Sequence, residues 1–265
     1  MISLIFLVIG LIFGSFMNVL ICRLPYGKSV VMPGSSCVKC GYKLKFYENI
    51  PVLSYIFLNG RCSNCKEKIS FQYPLVEITT GVLFFLVYKY FGLTLLSFKM
   101  LVLVFLLLAI GFTDYFTSLD RKHFECGVIP VVLTRAGMLL GIVLSFVVQP
   151  GISSIVNSVL GVAIGGFIIW LPGYLYKLIT KKDGMGSGDV ELFGMIGSFL
   201  GYKPMFFILF LSSIIGAIGG SIVISIKKDK NYPIPFGPFI SLATLVYIFY
   251  GDRLVKGYLN MIYGG

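Results

Sequence analysis

Long apolar runs separated by polar stretches dominate this chain. The first run, residues 2–21, contains no charged residue and is longer than the apolar core of a signal peptide. Similar runs follow near 75–91, 93–112, 129–148, 154–176, 190–202, 204–226 and 234–250. A helix needs about twenty apolar residues to cross a hydrocarbon core about 30 Å thick. The pattern predicts an all-α polytopic membrane protein with about eight transmembrane helices, the run at 190–202 being the weakest.

Composition supports this interpretation and divides the chain. Hydrophobic residues make up 57% of the 265 residues and charged residues only 12%, which leaves no room for a large soluble enzyme. The longest polar stretch covers residues 22–74 and is rich in Lys, Pro, Gly, Cys and Tyr. We therefore predict a first span at 1–21, a small extramembrane insertion at 22–74 and a membrane domain at 75–265.

The net charge of +11 predicts an orientation. If the loops alternate between the two sides of the membrane, 16 of the 22 Lys and Arg residues fall on one side, in 22–74, 113–128, 177–189 and 227–233. Short loops rich in Lys and Arg remain in the cytoplasm, so the insertion is expected to face the cytoplasm. The same charge suits a lipid bilayer with anionic headgroups, and it requires no nucleic acid partner.

Four of the six cysteines form two C-x₂-C pairs in the insertion: Cys37 with Cys40, and Cys62 with Cys65. Two such pairs can place four thiolates around one Zn²⁺, as in zinc ribbons, and leave no open position for catalysis. Two disulfides are the alternative, which a reducing cytoplasm disfavours. The pattern predicts a structural zinc site in a loop too small to build its own core.

Two aspartates stand beside apolar runs on the predicted cytoplasmic side. Asp114 closely follows the run at 93–112, and Asp189 follows a loop with glycines at 184, 186 and 188. Either alone could cap a helix or reach the headgroups. Brought together, two carboxyls share one proton, so that one activates water while the other polarises a peptide carbonyl. This is the chemistry of an aspartic protease.

Other kinds of chemistry find less support. The glycines before Asp189 allow the loop to approach a peptide backbone, whereas no Gly-Lys-Ser/Thr follows to form a phosphate loop. His123 is the only histidine, so no H-E-x-x-H zinc protease motif exists.

Several short motifs occur in order along almost the whole chain. They are Gly14-Ser-Phe-Met-Asn18 with Arg23-Leu-Pro25, the two cysteine pairs, Asn49-Ile-Pro-Val-Leu-Ser-Tyr55, Gly60-Arg-Cys62, Tyr73-Pro-Leu-Val-Glu77, Gly184-Met-Gly-Ser-Gly-Asp189 and Pro235-Phe-Gly-Pro238. With these motifs the chain resembles the type IV prepilin leader peptidases, which are membrane aspartyl proteases of the GxGD type.

The resemblance implies two activities. The first is cleavage of a basic leader from a prepilin or pseudopilin, at the cytoplasmic face of the inner (plasma) membrane. The second is N-methylation of the new amino terminus with S-adenosylmethionine, assigned to the cysteine-bearing domain. Asp114 and Asp189 match the catalytic aspartates of the family. No glycine-rich Rossmann fingerprint marks the residues that bind S-adenosylmethionine.

The chain departs from the family pattern in two places. The Ile-Pro pair expected soon after the first aspartate is here Ile129-Pro130, so either the loop carries an insertion or Asp120 is the true partner of Asp189. Glu191 replaces a common lysine, and we expect this extra carboxylate to perturb the ionisation of Asp189.

Two other functions are compatible with the sequence. The chain could be an intramembrane GxGD protease that cuts other single-span proteins and does not methylate them. It could also be a non-catalytic membrane scaffold whose zinc loop binds a cytoplasmic partner. The distance between the two aspartates discriminates, since a scaffold has no reason to bring them together.

Overall fold

The computed structural model describes residues 2–181, 186–229 and 232–263. In these ranges the chain is helical and contains no strand, apart from two isolated bridges. The helices are α1 (Ile2–Arg23), α2 (Leu53–Phe57), α3 (Gln72–Phe91), α4 (Leu95–Leu119), α5 (Val131–Val148), α6 (Ile152–Thr180), α7 (Ser187–Leu200), α8 (Met205–Lys227) and α9 (Gly237–Tyr263).

The eight predicted apolar runs all form helices. In the described part of the chain, α1, α3, α4, α5, α6 and α8 are long and apolar enough to cross a membrane. The run at 190–202 lies within α7, whose 14 residues rise only about 21 Å, and α9 has a shorter apolar part, Gly237–Gly251. The predicted all-α polytopic fold is confirmed, with six long helices and two shorter apolar ones.

The chain divides into two compact units, Met1–Ser97 and Phe98–Gly265. In the first unit, α1 packs closely against α3 because glycines lie at the contact. A Cβ atom added at Gly10 would lie 2.7 Å from the Cα of Gly81, and one added at Gly14 would lie 2.6 Å from the Cα of Glu77. Small residues allow membrane helices to approach in this way. The boundaries at 21 and 74 remain predictions.

In the second unit, the short helix α7 packs against α5 and α6. Its residues from Leu192 to Phe199 are all buried, which is why this part of the helix is almost entirely apolar. Gly161 of α6 meets the backbone of Gly197, and a Cβ atom at Gly165 would lie 2.6 Å from the carbonyl oxygen of Phe193. This packing holds in place the helix whose first turn carries Asp189.

Candidate active site

The helix that carries Asp114 is longer than the apolar run predicts. The predicted span ends at residue 112, whereas α4 continues to Leu119. Hydroxyl groups in this last part donate to the helix's own backbone, Thr113 to Ala109 and Thr117 to Thr113, both at 2.6 Å. Because its polar groups are satisfied internally, the helix continues and buries Asp114, which is 3% exposed.

The carboxyls of Asp114 and Asp189 lie close enough to interact electrostatically. Asp189 is among the groups that act on the Asp114 carboxyl through Coulomb interaction. Asp189 is half-buried in the first turn of α7, and the amide of Gly186 acts on its carboxyl. Within the described ranges, no Lys, Arg or His side chain pairs with either aspartate within 4.0 Å. Gly184 lies outside the described residues.

A main-chain donor at the start of α9 binds Asp114. The amide N–H of Gly237 donates to Asp114 Oδ2 at 2.9 Å, and both groups are buried. The first N–H groups of a helix have no partner inside the helix and carry a partial positive charge. The motif Pro235-Phe-Gly-Pro238 therefore has a place at the site that sequence reasoning missed, although Gly-Pro before an apolar run indicates a helix start.

The loop after α4 folds back over the same carboxyl. A Cβ atom at Gly127 would lie 2.8 Å from Asp114 Cγ, and the Val128 amide donates to Thr117 Oγ1 at 2.9 Å. Further on, a Cβ atom at Gly188 would lie 2.8 Å from Ile129 Cβ. Residues 127–129, which we call the bridging loop, therefore contact both the Asp114 carboxyl and the residue before Asp189.

Asp120, the alternative first aspartate, has different neighbours. It follows the end of α4, and its Oδ2 atom lies 2.8 Å from His123 Nδ1. Its backbone carbonyl accepts from the amides of His123 and Phe124, which turns the loop back toward α4. Residues 120–124 thus form the turn before the bridging loop. The structure gives Asp114 the interaction with Asp189 and gives Asp120 a place in this turn.

The structure corrects the expectation for Glu191. Its carboxylate accepts from Arg135 at 2.9 Å and from Thr134 Oγ1 at 2.7 Å, both on α5. Glu191 is not among the groups that act on Asp189. Residues two apart on a helix point in nearly opposite directions, so Glu191 faces α5 and is neutralised there.

The four cysteines of the insertion form a compact cluster. The Sγ atoms of Cys37, Cys40, Cys62 and Cys65 all lie within 4.8 Å of one another. The two halves fold alike: the Cys37 amide donates to Tyr42 and the Gly41 amide to Cys37, while the Cys62 amide donates to Glu67 and the Lys66 amide to Cys62. Gly41 and Lys66 both have a left-handed backbone, which turns each loop around its sulfurs.

The cluster suits a cation. All six cysteines are free thiols in the structure. The Tyr42 amide lowers the pKa of the Cys40 thiol to about 7, so this group ionises readily. Although the Glu67 amide opposes the change, burial and the neighbouring thiols raise the pKa of Cys65 to about 11. Crowded thiolates resist a common negative charge, and a divalent metal relieves this repulsion. The donor set therefore fits Zn²⁺.

Comparison with known proteins identifies the family. Residues 8–91 match the model of the bacterial peptidase A24 N-terminal domain, and residues 101–221 match that of the type IV leader peptidase family.

Curated relatives extend the match to nearly the whole chain. Similar proteins include the "Prepilin leader peptidase/N-methyltransferase" of Pseudomonas aeruginosa, 33% identical over 96% of this chain and 92% of that protein. The protein of the same name from Xanthomonas campestris is 34% identical over 95% and 92%, and that from Myxococcus xanthus is 37% identical over 82% and 62%. No solved structure matches the chain. The chain belongs to the type IV leader peptidase family.

Proposed function

We propose that this protein cleaves the leader peptide of prepilins or pseudopilins and then N-methylates the new amino terminus. The electrostatic interaction between the Asp114 and Asp189 carboxyls carries the first part of the proposal. The names of the relatives, which include both activities, support the second part. A scaffold would gain nothing from placing two carboxyls together, and a protease without methylation is disfavoured by these names.

Cleavage follows from two carboxyls that share one proton. The ionised carboxyl takes a proton from the attacking water, and the protonated carboxyl donates to the oxygen of the scissile carbonyl. When the tetrahedral intermediate collapses, the carboxyl that took the water proton passes it to the leaving amine, and the re-forming carbonyl returns its proton to the other carboxyl. The amide of Gly237 and the positive end of α9 stabilise negative charge on Asp114, while the bridging loop limits the entry of water on its other side.

Isosteric substitution tests this mechanism. Asp114→Asn and Asp189→Asn should each lower leader cleavage at least about 1000-fold, because each removes a proton donor or acceptor. Asp120→Asn is the matched control: it makes the same substitution in the loop after α4, and this variant should cleave normally. The readout is mass spectrometry of the amino terminus of a co-expressed prepilin, which also reports methylation. Normal cleavage by both Asp114→Asn and Asp189→Asn would rule out the mechanism.

We also propose that the four-cysteine cluster holds one structural Zn²⁺. The ion would neutralise the thiolates and stabilise the insertion, since zinc binding and folding are coupled in such small loops. Metal analysis of purified protein should find one zinc per chain, and Cys37→Ser should lose it. Cys126→Ser, at an exposed thiol outside the cluster, should keep it. Wild-type protein without metal would contradict this proposal.

We propose an inner-membrane location, and the charge distribution supports an orientation with the cysteine cluster and the aspartates at the cytoplasmic face. A basic leader on the substrate would be retained on the same side by the same rule. Bound S-adenosylmethionine would supply the methyl group, and we place this reaction in the cysteine-bearing part of the chain. The unpartnered Asn18 oxygen and the Glu77 carboxylate between α1 and α3 suit an amino group, such as the one this donor carries.

A further inference from the structure

A buried carboxylate in the first unit takes no part in the proposed protease site. Glu77 of α3 is 7% exposed, and its Oε2 atom accepts the Val52 amide at 2.7 Å. In the described ranges, this amide and the Ser15 hydroxyl are the groups that donate to the carboxyl. In the described part of the chain, no basic side chain lies within 4.0 Å of it. A buried carboxylate without a positive partner is costly, which makes Glu77 a candidate for binding a cationic group.

An unsatisfied acceptor lies on the same helix contact. Asn18 of α1 is 2% exposed, and its Nδ2 atom donates to the carbonyl oxygens of Gly14 at 3.3 Å and Tyr73 at 3.1 Å. These two acceptors fix the orientation of the amide, which leaves Oδ1 buried and without a partner among the residues that the structure describes. Since Gly14 packs on Glu77, Asn18 lies one helical turn away along α1. A buried acceptor without a donor requires an explanation.

A strained turn joins this contact to the insertion. Val52 has φ 62° and ψ −49°, and the Leu53 amide donates to the Pro51 carbonyl at 2.6 Å, which defines a γ-turn of the rare positive-φ type. A β-branched residue takes this conformation only where its surroundings hold it there. The turn aims the Val52 N–H at Glu77, so the carboxylate is held in a fixed position.

We propose that Glu77 and Asn18 Oδ1 bind an amino group in the methylation reaction. The carboxylate supplies the countercharge, and both residues accept N–H hydrogen bonds. The inference rests on the proposed methyltransferase function, which involves the α-amine of the cleaved substrate and the amino group of the donor. If the substrate amine binds here, Glu77 takes one ammonium proton. The nitrogen then bonds to the methyl carbon while the methyl–sulfur bond breaks, and its electrons return to sulfur.

The test separates methylation from cleavage. Full-length protein in lipid nanodiscs receives S-adenosylmethionine and a synthetic peptide that already begins with the free amine. Glu77→Gln keeps an oxygen that accepts the Val52 amide but removes the charge. We expect its methylation rate to fall at least about 100-fold while cleavage of an uncut substrate stays within about twofold. Thr80→Val is the control, since the Thr80 hydroxyl is buried in the same contact and donates to Val76 of its own helix.

Two further measurements give the source of the amine. If Glu77→Gln binds radiolabelled S-adenosylmethionine normally in equilibrium dialysis but has a raised KM for the peptide, the site holds the peptide amine. If binding of the labelled donor is lost, the site holds the donor's amino group. Both outcomes support an amine site.

Three results would overturn the inference in different ways. Methylation by Glu77→Gln at the wild-type rate shows that the charge is not used. Lost methylation together with a lowered unfolding temperature shows that Glu77 has only a structural role. Failure of the wild-type protein to methylate the peptide removes the proposed methyltransferase function, and the inference with it.

Discussion

At the scale of single residues, main-chain amides hold the buried carboxylates of this protein. The Gly237 amide binds Asp114, and the Val52 amide binds Glu77. An amide donor adds no charge that a substrate must displace, unlike a lysine or arginine side chain. Each carboxylate therefore keeps its capacity to accept a proton or bind a cation while its position is fixed.

Gly237→Ala should impair cleavage through the position of Asp114. A Cβ atom there would lie 2.6 Å from Asp114 Oδ2, so the carboxylate must move. Displacement by a few tenths of an ångström or more should lower kcat for cleavage about 10- to 100-fold, with methylation of a pre-cut peptide unchanged. Gly220→Ala is the control, because its Cβ atom meets only the tip of Ile234 at 3.1 Å. Wild-type kcat in Gly237→Ala would show that the contact is unimportant.

The sequence predicts some site residues far better than others. Asp114 and Asp189 stand out because only 11 acids occur in the chain and both adjoin apolar runs. The role of Gly237 could not be predicted, since its hydrogen bond joins positions 123 residues apart. Glu191 misled the interpretation because proximity in sequence to Asp189 does not place it on the same helix face.

At the scale of elements, α7 is unusual because it is short and buried along most of its length. Its Gly197 lies against Gly161 of α6, so the two backbones are in contact. The apolar pattern predicted this helix as the weakest span, since a buried helix inside a bundle needs neither the length nor the anchors of one that faces lipid. The residues at which α7 begins and ends depend on its packing against other helices. The pattern of apolar residues along the chain does not predict that packing.

Gly161→Ala should destabilise this contact and thereby displace Asp189. The new Cβ atom would meet the carbonyl group of Gly197, which cannot move without shifting α7. Overpacking of this kind costs about 1–3 kcal/mol. The unfolding temperature in detergent and the cleavage rate should both fall.

Gly166→Ala on the same helix is the matched control. Its Cβ atom would find only ordinary contacts with Val190, at 3.7 Å or more, and alanine favours helix by up to about 1 kcal/mol. An equally stable Gly161→Ala protein would show that the α6–α7 contact is loose.

At the scale of the whole molecule, the two compact units carry separate candidate sites. The unit Met1–Ser97 holds the cysteine cluster and the Glu77 carboxylate, and the unit Phe98–Gly265 holds the two aspartates. The two family models match the same division, at 8–91 and 101–221. We therefore expect substitutions to remove one activity without the other, as the variants at Glu77 and Asp114 test.

The last prediction concerns the orientation of the chain in the membrane. In the proposed orientation residues 113–128 face the cytoplasm, so a membrane-impermeant maleimide should label Cys126 in inside-out vesicles and not in right-side-out vesicles. Cys126 is an exposed free thiol. The protein used carries Cys22→Ser, which removes the other isolated thiol, and bound zinc protects the four cysteines of the cluster from the reagent. Leu93→Cys in a background with both Cys22→Ser and Cys126→Ser is the control: residue 93 is 76% exposed before α4 and should react from the opposite side. Labelling of Cys126 in right-side-out vesicles would show that the topology is the reverse of the proposed one. Both aspartates would then lie on the side of the membrane away from a cytoplasmic leader.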